Sequence, residues 1–379
     1  MAKRKKILVA PLNWGLGHAT RCIPIIKKLK ERGYEVIVAA SDRPYHLLKK
    51  EFPELTHIYF PNYEIDYPEK GKMGWHMFKM APEVFRQTGK EHRKLKKIIG
   101  RYKIKGVISD NRFGLSSKQV PCIFISHQLQ LEMPKGWGVF KRLVNWINLS
   151  YMKKFEAIWI PDFEGEHNLS GSLSHFNHIP KNTTYLGLLS RFSELKEKEV
   201  KETGSYDLLI SISGPEPQRT ILENRLTEQA LKLPYKTLMV VGKTEDGKES
   251  VDITENFKKV AHLNAERMYS AMRDAKYIIC RSGYSTVMDL AAIGQKAAFI
   301  PTPGQSEQEY LAEKYKKEGL ANFMAQDVVN IEQLIAEYEN YKGFGGFDAG
   351  PATLDKCLDV FLLRVETHTP YKYSKNSGL

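Results

Sequence analysis

This sequence predicts an α/β protein of two doubly wound domains that face each other across a cleft. Three observations predict it. Short apolar runs alternate with amphipathic stretches along the chain, the pattern of parallel strands joined by crossover helices. The alternation is broken once, by the polar stretch Ser193–Gly204 (SELKEKEVKETG). The length, 379 residues, is roughly twice that of a typical domain.

The first series opens with the strand Ile7–Pro11 and a glycine-containing turn. An amphipathic helix near Thr20–Glu31 and a second strand, Glu35–Ala40, follow. This βαβ unit predicts a right-handed crossover and a parallel sheet. Further strands are expected at His57–Phe60, Gly106–Ser109, Cys122–Ser126 and Ala157–Ile160. Beyond the polar stretch a second series begins. Strand Leu208–Ser213 leads through a Gly-Pro turn into a helix, and strand Thr237–Val241 follows. Strand Tyr277–Cys280 then precedes the helix Thr286–Ile293 and the strand Ala297–Pro301. A last helix is expected over Ala352–Val365. The division expected is a first domain over residues 1–190, a linker over 191–203, a second domain over 204–365 and a loosely packed polar tail over 366–379. Both domains are Rossmann-like, so ligands should lie outside the carboxyl ends of the strands.

Composition narrows the class. The chain is 42% hydrophobic and 27% charged, which argues against disorder. Cys22, Cys122, Cys280 and Cys357 lie far apart with no CxxC pair. That excludes a disulfide scaffold and a zinc ribbon and fits a reducing compartment. No run of eighteen apolar residues exists, so no membrane-spanning helix is expected. The first apolar run stops at Asn13, too short for a signal-peptide core, and a cytoplasmic protein is expected. Charge is unevenly divided. Residues 1–190 carry 32 Lys and Arg against 16 Asp and Glu, and the remainder carries 25 against 28. The first half therefore suits an anionic partner. Nucleic acid is the weakest choice, because no RNA- or DNA-binding module is recognisable.

Chemistry concentrates in the strand-to-helix loops. Gly15 and Gly17 let the first loop bend and a ligand approach on the acceptor side, and His18 should project at a helix N-terminus. A helix terminus favours the neutral imidazole, which can act as a base. Asp110, at the end of its strand, is the carboxylate that could fix the tautomer of His18. His127 ends the next strand on the same edge and could contact an acceptor. In the second half, Cys280–Gly294 (CRSGYSTVMDLAAIG) joins a strand to a helix through a Ser-Gly turn. Free amides and the helix dipole there suit a diphosphate. Arg281, Ser282, Gly283, Ser285 and Thr286 would line that site, Asp289 could accept from two ribose hydroxyls, and Ser213 and Gly214 offer a second turn facing the same cleft. Gln308 and Glu309 suit sugar hydroxyls. The segment Lys135–Phe155 reads as a basic, aromatic-rich amphipathic helix, with Trp137, Phe140, Val144, Ile147 and Tyr151 at spacings of three and four. Lys141 and Arg142 flank them, and Trp137, Phe140, Lys141 and Arg142 are the expected contacts with an anionic membrane.

The segments GLGHATR, CRSGYSTVMDLAAIG and PTPGQSEQEYLAE together resemble the GT-B glycosyltransferases of family 28. That group includes the peptidoglycan lipid-linked N-acetylglucosaminyltransferase and monogalactosyldiacylglycerol synthase. The resemblance covers the cleft loops of both halves. It implies an inverting transfer from a nucleotide sugar, usually UDP-linked, to a hydroxyl acceptor such as a lipid-linked one. It implies no metal and no cofactor, the nucleotide sugar being a substrate. By this resemblance His18 matches the glycine-loop histidine, and Ser285 and Thr286 match positions near the diphosphate. Asp289 stands where the family has a ribose-binding Glu, and Gln308 and Glu309 stand where it has two Gln. The loop Ser213–Gln218 replaces a more glycine-rich one. A peripheral position on the inner face of the plasma membrane follows from the same resemblance. Two alternatives share the architecture: a nucleotide-sugar 2-epimerase, and a non-catalytic nucleotide-sugar or lipid-binding protein.

Overall fold

A computed structural model of the chain describes residues 4–61, 73–132, 138–193, 195, 205–243, 250–347 and 352–368. The first lobe alternates β1 (Lys6–Pro11), α1 (Leu16–Glu31), β2 (Glu35–Ala40), α2 (Asp42–Glu51), β3 (Thr56–Tyr59), α3 (Met73–Tyr102) and β4 (Ile104–Asp110). It continues through β5 (Cys122–Ile125), α4 (Gly138–Met152), β6 (Ala157–Ile160) and β7 (Thr183–Tyr185). Its seven strands lie in the order β3-β2-β1-β4-β5-β6-β7, and every pair is parallel. The central strands are apolar through their middles because helices cover both faces. In β1, residues Ile7 to Ala10 are fully buried.

The second lobe contains β8 (Leu208–Ser211), α5 (Gln218–Ala230), β9 (Thr237–Val240), β10 (Ser250–Thr254), β11 (Phe257–Val260), α6 (Ala265–Asp274) and β12 (Tyr277–Cys280). It continues with α7 (Tyr284–Ile293), β13 (Ala298–Phe299), α8 (Ser306–Lys317) and α9 (Ile331–Ala336), and α10 (Ala352–Thr367) closes the described chain. The six strands lie in the order β10-β11-β9-β8-β12-β13. The strand order reverses between β1 and β4 in the first lobe and between β8 and β12 in the second. These are the switch points where an open α/β sheet leaves a crevice for ligands.

The second sheet carries one strand that the alternation does not predict, β10, which returns antiparallel beside β11; a tight turn permits that pairing, whereas a parallel one needs a crossover. Two expectations are corrected. The terminal helix does not belong to the second domain. Leu354, Leu358, Phe361, Leu362 and Val365 recur at helical spacing and join the core of the first lobe. They fit because Gly106 presents no side chain there: a Cβ at that position would lie 2.7 Å from both Phe361 Cζ and Val365 Cγ2. Ion pairs of Asp355 with Lys28 (2.9 Å) and Arg32 (2.6 Å) and of Asp359 with Arg32 (3.1 Å) fasten the same helix to the C-terminal end of α1. Finally, the row Val144, Ile147 and Tyr151 does not form an exposed stripe on α4. Tyr151 packs on the rings of Phe85 and Phe113, and Asn145 and Asn148 bind the backbone of Leu131 and Leu129. Most of the 191–203 linker and the tail beyond residue 368 lie outside the described residues.

Candidate active site

Helix α1 begins at Leu16, four residues ahead of the expected start, with Gly15 as its N-cap. His18 therefore sits in the first turn, beside the end of β4, where β1 and β4 run in register from Ile7–Gly106 to Pro11–Asp110. His18 Nδ1 lies 2.8 Å from Asp110 Oδ1. The Asp110 side chain is fully buried and that of His18 is 12% exposed. Asp110 is well supplied with donors. Arg21, one turn along α1, donates through Nε and Nη2 to both carboxylate oxygens, and the Cys22 thiol points at Oδ2 from 3.7 Å. Burial alone would raise the Asp110 carboxyl, but Arg21 and then His18 hold it down at about 2. It is ionised at neutral pH. Nδ1 also lies 2.8 Å from Arg21 Nη2, but that donor is committed to Asp110 Oδ1, so the proton of neutral His18 is assigned to Nδ1, facing the carboxylate, which leaves the Nε2 lone pair as the acceptor. Burial is the main reason the His18 pKa falls below its ordinary value, with Arg21 and His127 adding to it against Asp110.

His127 stands beyond β5, at the same edge. Its Nδ1 is 3.0 Å from Arg21 Nη1, and its Nε2 is 2.9 Å from Glu307 Oε1, on α8 of the second lobe. Its ring stacks on Tyr284 of α7, with centroids 4.0 Å apart and planes within 1°. Both ring nitrogens of His127 are thus engaged by protein groups, and the ring bridges the two lobes. Arg21 and Glu307 are the members of this cluster that sequence reasoning missed. Arg21 lay within the quoted GLGHATR segment, and its i,i+3 spacing from His18 was the available signal. Nothing in the sequence separated Glu307 from an ordinary acidic first turn.

Across the gap, α7 begins at Tyr284 with Gly283 as N-cap and no side-chain cap; α1 likewise has none, and neither helix has an acidic residue in its first turn. The two N-termini abut. A Cβ on Gly17 would fall 2.5 Å from Ser285 Oγ, so only glycine allows this approach. Two uncapped helix N-termini place positive potential in one place. The loop after β13 lies alongside. Thr302 Oγ1 is buried with no hydrogen-bond partner, and a Cβ on Gly214 would lie 3.4 Å from it. Arg43 Nη1 reaches the Gly214 carbonyl from the first lobe at 3.4 Å.

The other residues singled out in the second lobe organise these loops. Arg281 is buried and donates to the carbonyls of Ile300 (3.0 Å) and Pro301 (3.1 Å) and to Gln326 Oε1 (2.6 Å), with a longer contact to Ser213 O (3.4 Å). Ser282 Oγ donates to Gln308 O at 2.8 Å. Gln308 Oε1 accepts from Thr302 N at 2.9 Å, and Glu309 Oε1 accepts from Gly304 N at 3.0 Å. Thr286 N closes the first turn of α7 on Gly283 O. Asp289 is buried, and its two oxygens accept from Ser190 Oγ (2.6 Å) and Arg191 Nε (3.1 Å). In this conformation its carboxylate ties α7 to the chain leaving the first lobe.

Further contacts hold the lobes together. Tyr284 and Tyr315 donate to the carbonyls of Pro161 and Leu169, both at 2.8 Å, and Ser306 Oγ donates to Glu132 O at 3.0 Å. On α4, Lys141 pairs with Glu132 at 2.8 Å and Arg142 is exposed. Among the described side chains of this helix, Leu143 (56%) and Trp146 (68%) are the exposed large apolar ones. Trp137 and the side chain of Phe140 lie outside the described residues. Among the described residues, no helix is long and apolar enough to cross a membrane.

Residues 218–342 match the glycosyltransferase family 28 C-terminal domain. An uncharacterized glycosyltransferase of Methanosarcina acetivorans is 23% identical over 382 residues, covering 93% of this chain and 98% of its own. The UDP-N-acetylglucosamine–N-acetylmuramyl-(pentapeptide) pyrophosphoryl-undecaprenol N-acetylglucosamine transferase of Mannheimia succiniciproducens is 29% identical over 150 residues, 37% of this chain and 41% of its own. Among solved structures, the calicheamicin glycosyltransferase CalG4 superposes with a TM-score of 0.63 at 13% identity, covering 96% of this chain and 99% of that one. Residues 218–342 thus carry a glycosyltransferase family 28 C-terminal domain, and the whole chain has the GT-B fold of the glycosyltransferase structures it resembles.

Proposed function

We propose that this family 28-like glycosyltransferase moves a sugar, with inversion, from a UDP-linked donor to a hydroxyl acceptor presented at an anionic membrane surface. The observation that carries the reading is the buried His18–Asp110 pair at the switch point of the first sheet, opposite the uncapped start of α7. In this reading the acceptor oxygen attacks the anomeric carbon from the face opposite the nucleotide. The bond from that carbon to the diphosphate oxygen breaks, and its electron pair leaves with the nucleoside diphosphate. The acceptor proton passes to His18 Nε2, and Asp110 stabilises the imidazolium that forms. The transition state is oxocarbenium-like.

The departing diphosphate gains negative charge, and the amides at the start of α7 would stabilise it, with α1 adding its own terminus. Thr302 Oγ1, buried and without a protein partner, is a further donor available beside Gly214. These groups could supply the positive potential that a divalent ion supplies in other transferases. The UDP donor is suggested by the donor named for the Mannheimia relative. The acceptor is suggested by the same name and by the exposed Leu143 and Trp146 on a lobe rich in Lys and Arg.

The test is a thermal-shift screen of UDP-, GDP- and dTDP-sugars, followed by product analysis with and without a lipid extract. His18→Ala should keep donor affinity and lower transfer by about 100-fold or more. Unchanged transfer removes His18 from the mechanism. Conversion of donor alone to an epimeric nucleotide sugar replaces the transfer reading with the 2-epimerase.

A further inference from the structure

The base is linked by contact to the opposite lobe. Asp110 joins His18 to Arg21, Arg21 reaches His127, and His127 reaches Glu307 of α8. Every other link in this chain belongs to the first lobe; Glu307 alone crosses from the second. We propose that Glu307 is a positioning and tuning residue for the His18 base, acting through His127 and Arg21 and present only when the two lobes are together. This rests on the transferase reading above and adds a control to its base.

The physical argument is one of charge in a desolvated network. Taking up the acceptor proton makes His18 cationic beside Arg21, which is unfavourable. Asp110 offsets one positive charge. Lobe closure brings a second carboxylate, and its field reaches the network through little water. His127 transmits the contact as geometry as well as charge. With Nε2–H donating to Glu307, its Nδ1 lone pair accepts from Arg21 Nη1, which orients the guanidinium whose other nitrogens fork onto Asp110. The parallel stack on Tyr284 fixes the plane of the ring, so the chain of contacts has one geometry. The titratable groups packed on the network are Asp110 from β4, Arg21 and Cys22 from α1, His127 beyond β5, and Glu307 and Tyr284 from the second lobe. Burial would raise the Glu307 carboxyl, yet His127, His18 and Arg21 hold it below the usual range. It is therefore charged when closed. With the lobes apart, Glu307 leaves and His18 becomes a weaker base, which would protect a bound donor from premature attack by water.

The test is an NMR titration of histidine side chains in the full-length protein, comparing wild type with Glu307→Gln and Glu307→Ala. Both remove the charge that crosses from the second lobe, and Glu307→Gln also keeps the shape. The His18 midpoint should fall by at least roughly half a pH unit in both, and the acid limb of the kcat profile should move down with it while donor KM stays. An unchanged or raised His18 midpoint in either folded variant overturns the proposal, including where only the unfolding temperature drops. Should Glu307→Gln fail to fold, Glu307→Ala decides alone. The titration needs no turnover. Absence of sugar transfer by the wild type would refute the transferase reading separately and leave this measurement intact.

Discussion

Replacing Asp110 by Asn tests the core of the site with almost no change in shape. The carboxylate receives both donors of the Arg21 fork, His18 Nδ1 at 2.8 Å and the Cys22 thiol at 3.7 Å. An amide keeps one acceptor oxygen and turns the other position into a donor. If the oxygen stays on Arg21, the NH2 faces His18, and Nδ1 must accept. The imidazole proton then moves to Nε2, and the lone pair needed for the acceptor proton is lost. The same substitution in a Ser-His-Asp triad costs about 10⁴ in turnover through the wrong tautomer, and a fall of about 10³ to 10⁴ is expected here. Stability falls as well. Holding the fully buried Asp110 at about 2 rather than the ordinary 3.8 corresponds to about 2.5 kcal/mol at neutral pH. Leaving Arg21 as an uncompensated buried charge costs about 3–5 kcal/mol in comparable cases. Urea unfolding of Asp110→Asn should therefore show a loss of about 2.5–5 kcal/mol. Turnover is read as nucleoside diphosphate release with a lipid extract, below the unfolding transition. A variant that stays within about tenfold of wild type in turnover would refute the idea that Asp110 sets the tautomer of the base.

Acid should weaken the fold in two steps. His262 is held neutral, at about 4 instead of 6.5, by burial and by Arg191 and Lys50. Its folded pKa is depressed, so the unfolded state binds more protons and stability falls as pH drops from 6.5 towards 4. Asp110 adds a further loss as pH falls from 3.8 through about 2. His262→Gln should flatten the upper step in urea unfolding measured across this range, and an unaltered slope would exclude His262 as its source. Gly17→Ala places a Cβ 2.5 Å from Ser285 Oγ and 2.9 Å from Ser285 Cβ, so the helix N-termini must part. Turnover should fall about tenfold, and Ser285→Gly in the same chain should recover part of it, with a coupling of about 1 kcal/mol or more. Independent effects of the two changes would mean that the approach is not needed. Leu143→Gln with Trp146→Gln should reduce flotation with anionic vesicles by about tenfold or more, leaving affinity for the soluble donor intact. Equal flotation would remove α4 as a membrane contact.

The periodicity of apolar residues was sufficient to read the two parallel sheets and the break between them, because strands buried on both faces must be apolar throughout. The loop ends carrying His18, Asp110, His127 and Ser285 were legible for the same reason. Once strand ends are placed, the residues that follow them lie on one edge. The β10–β11 hairpin was missed because Ser250–Thr254 is polar and short, with Val251 and Ile253 exposed. The terminal helix was given to the wrong lobe because an amphipathic face states that it is buried but not against which sheet.

What the sequence determined by itself was local: which segments bury both faces, where chains turn, and which polar residues stand at the strand ends. What only the tertiary structure decided was pairing. That Arg21 forks onto Asp110, that Glu307 reaches His127 from the other lobe, and that Asp289 is engaged by Ser190 and Arg191 are matters of residues 89, 180 and 98 or 99 positions apart. Such contacts depend on how the helices and lobes dock, and docking is set by packing over the whole surface rather than by any short pattern.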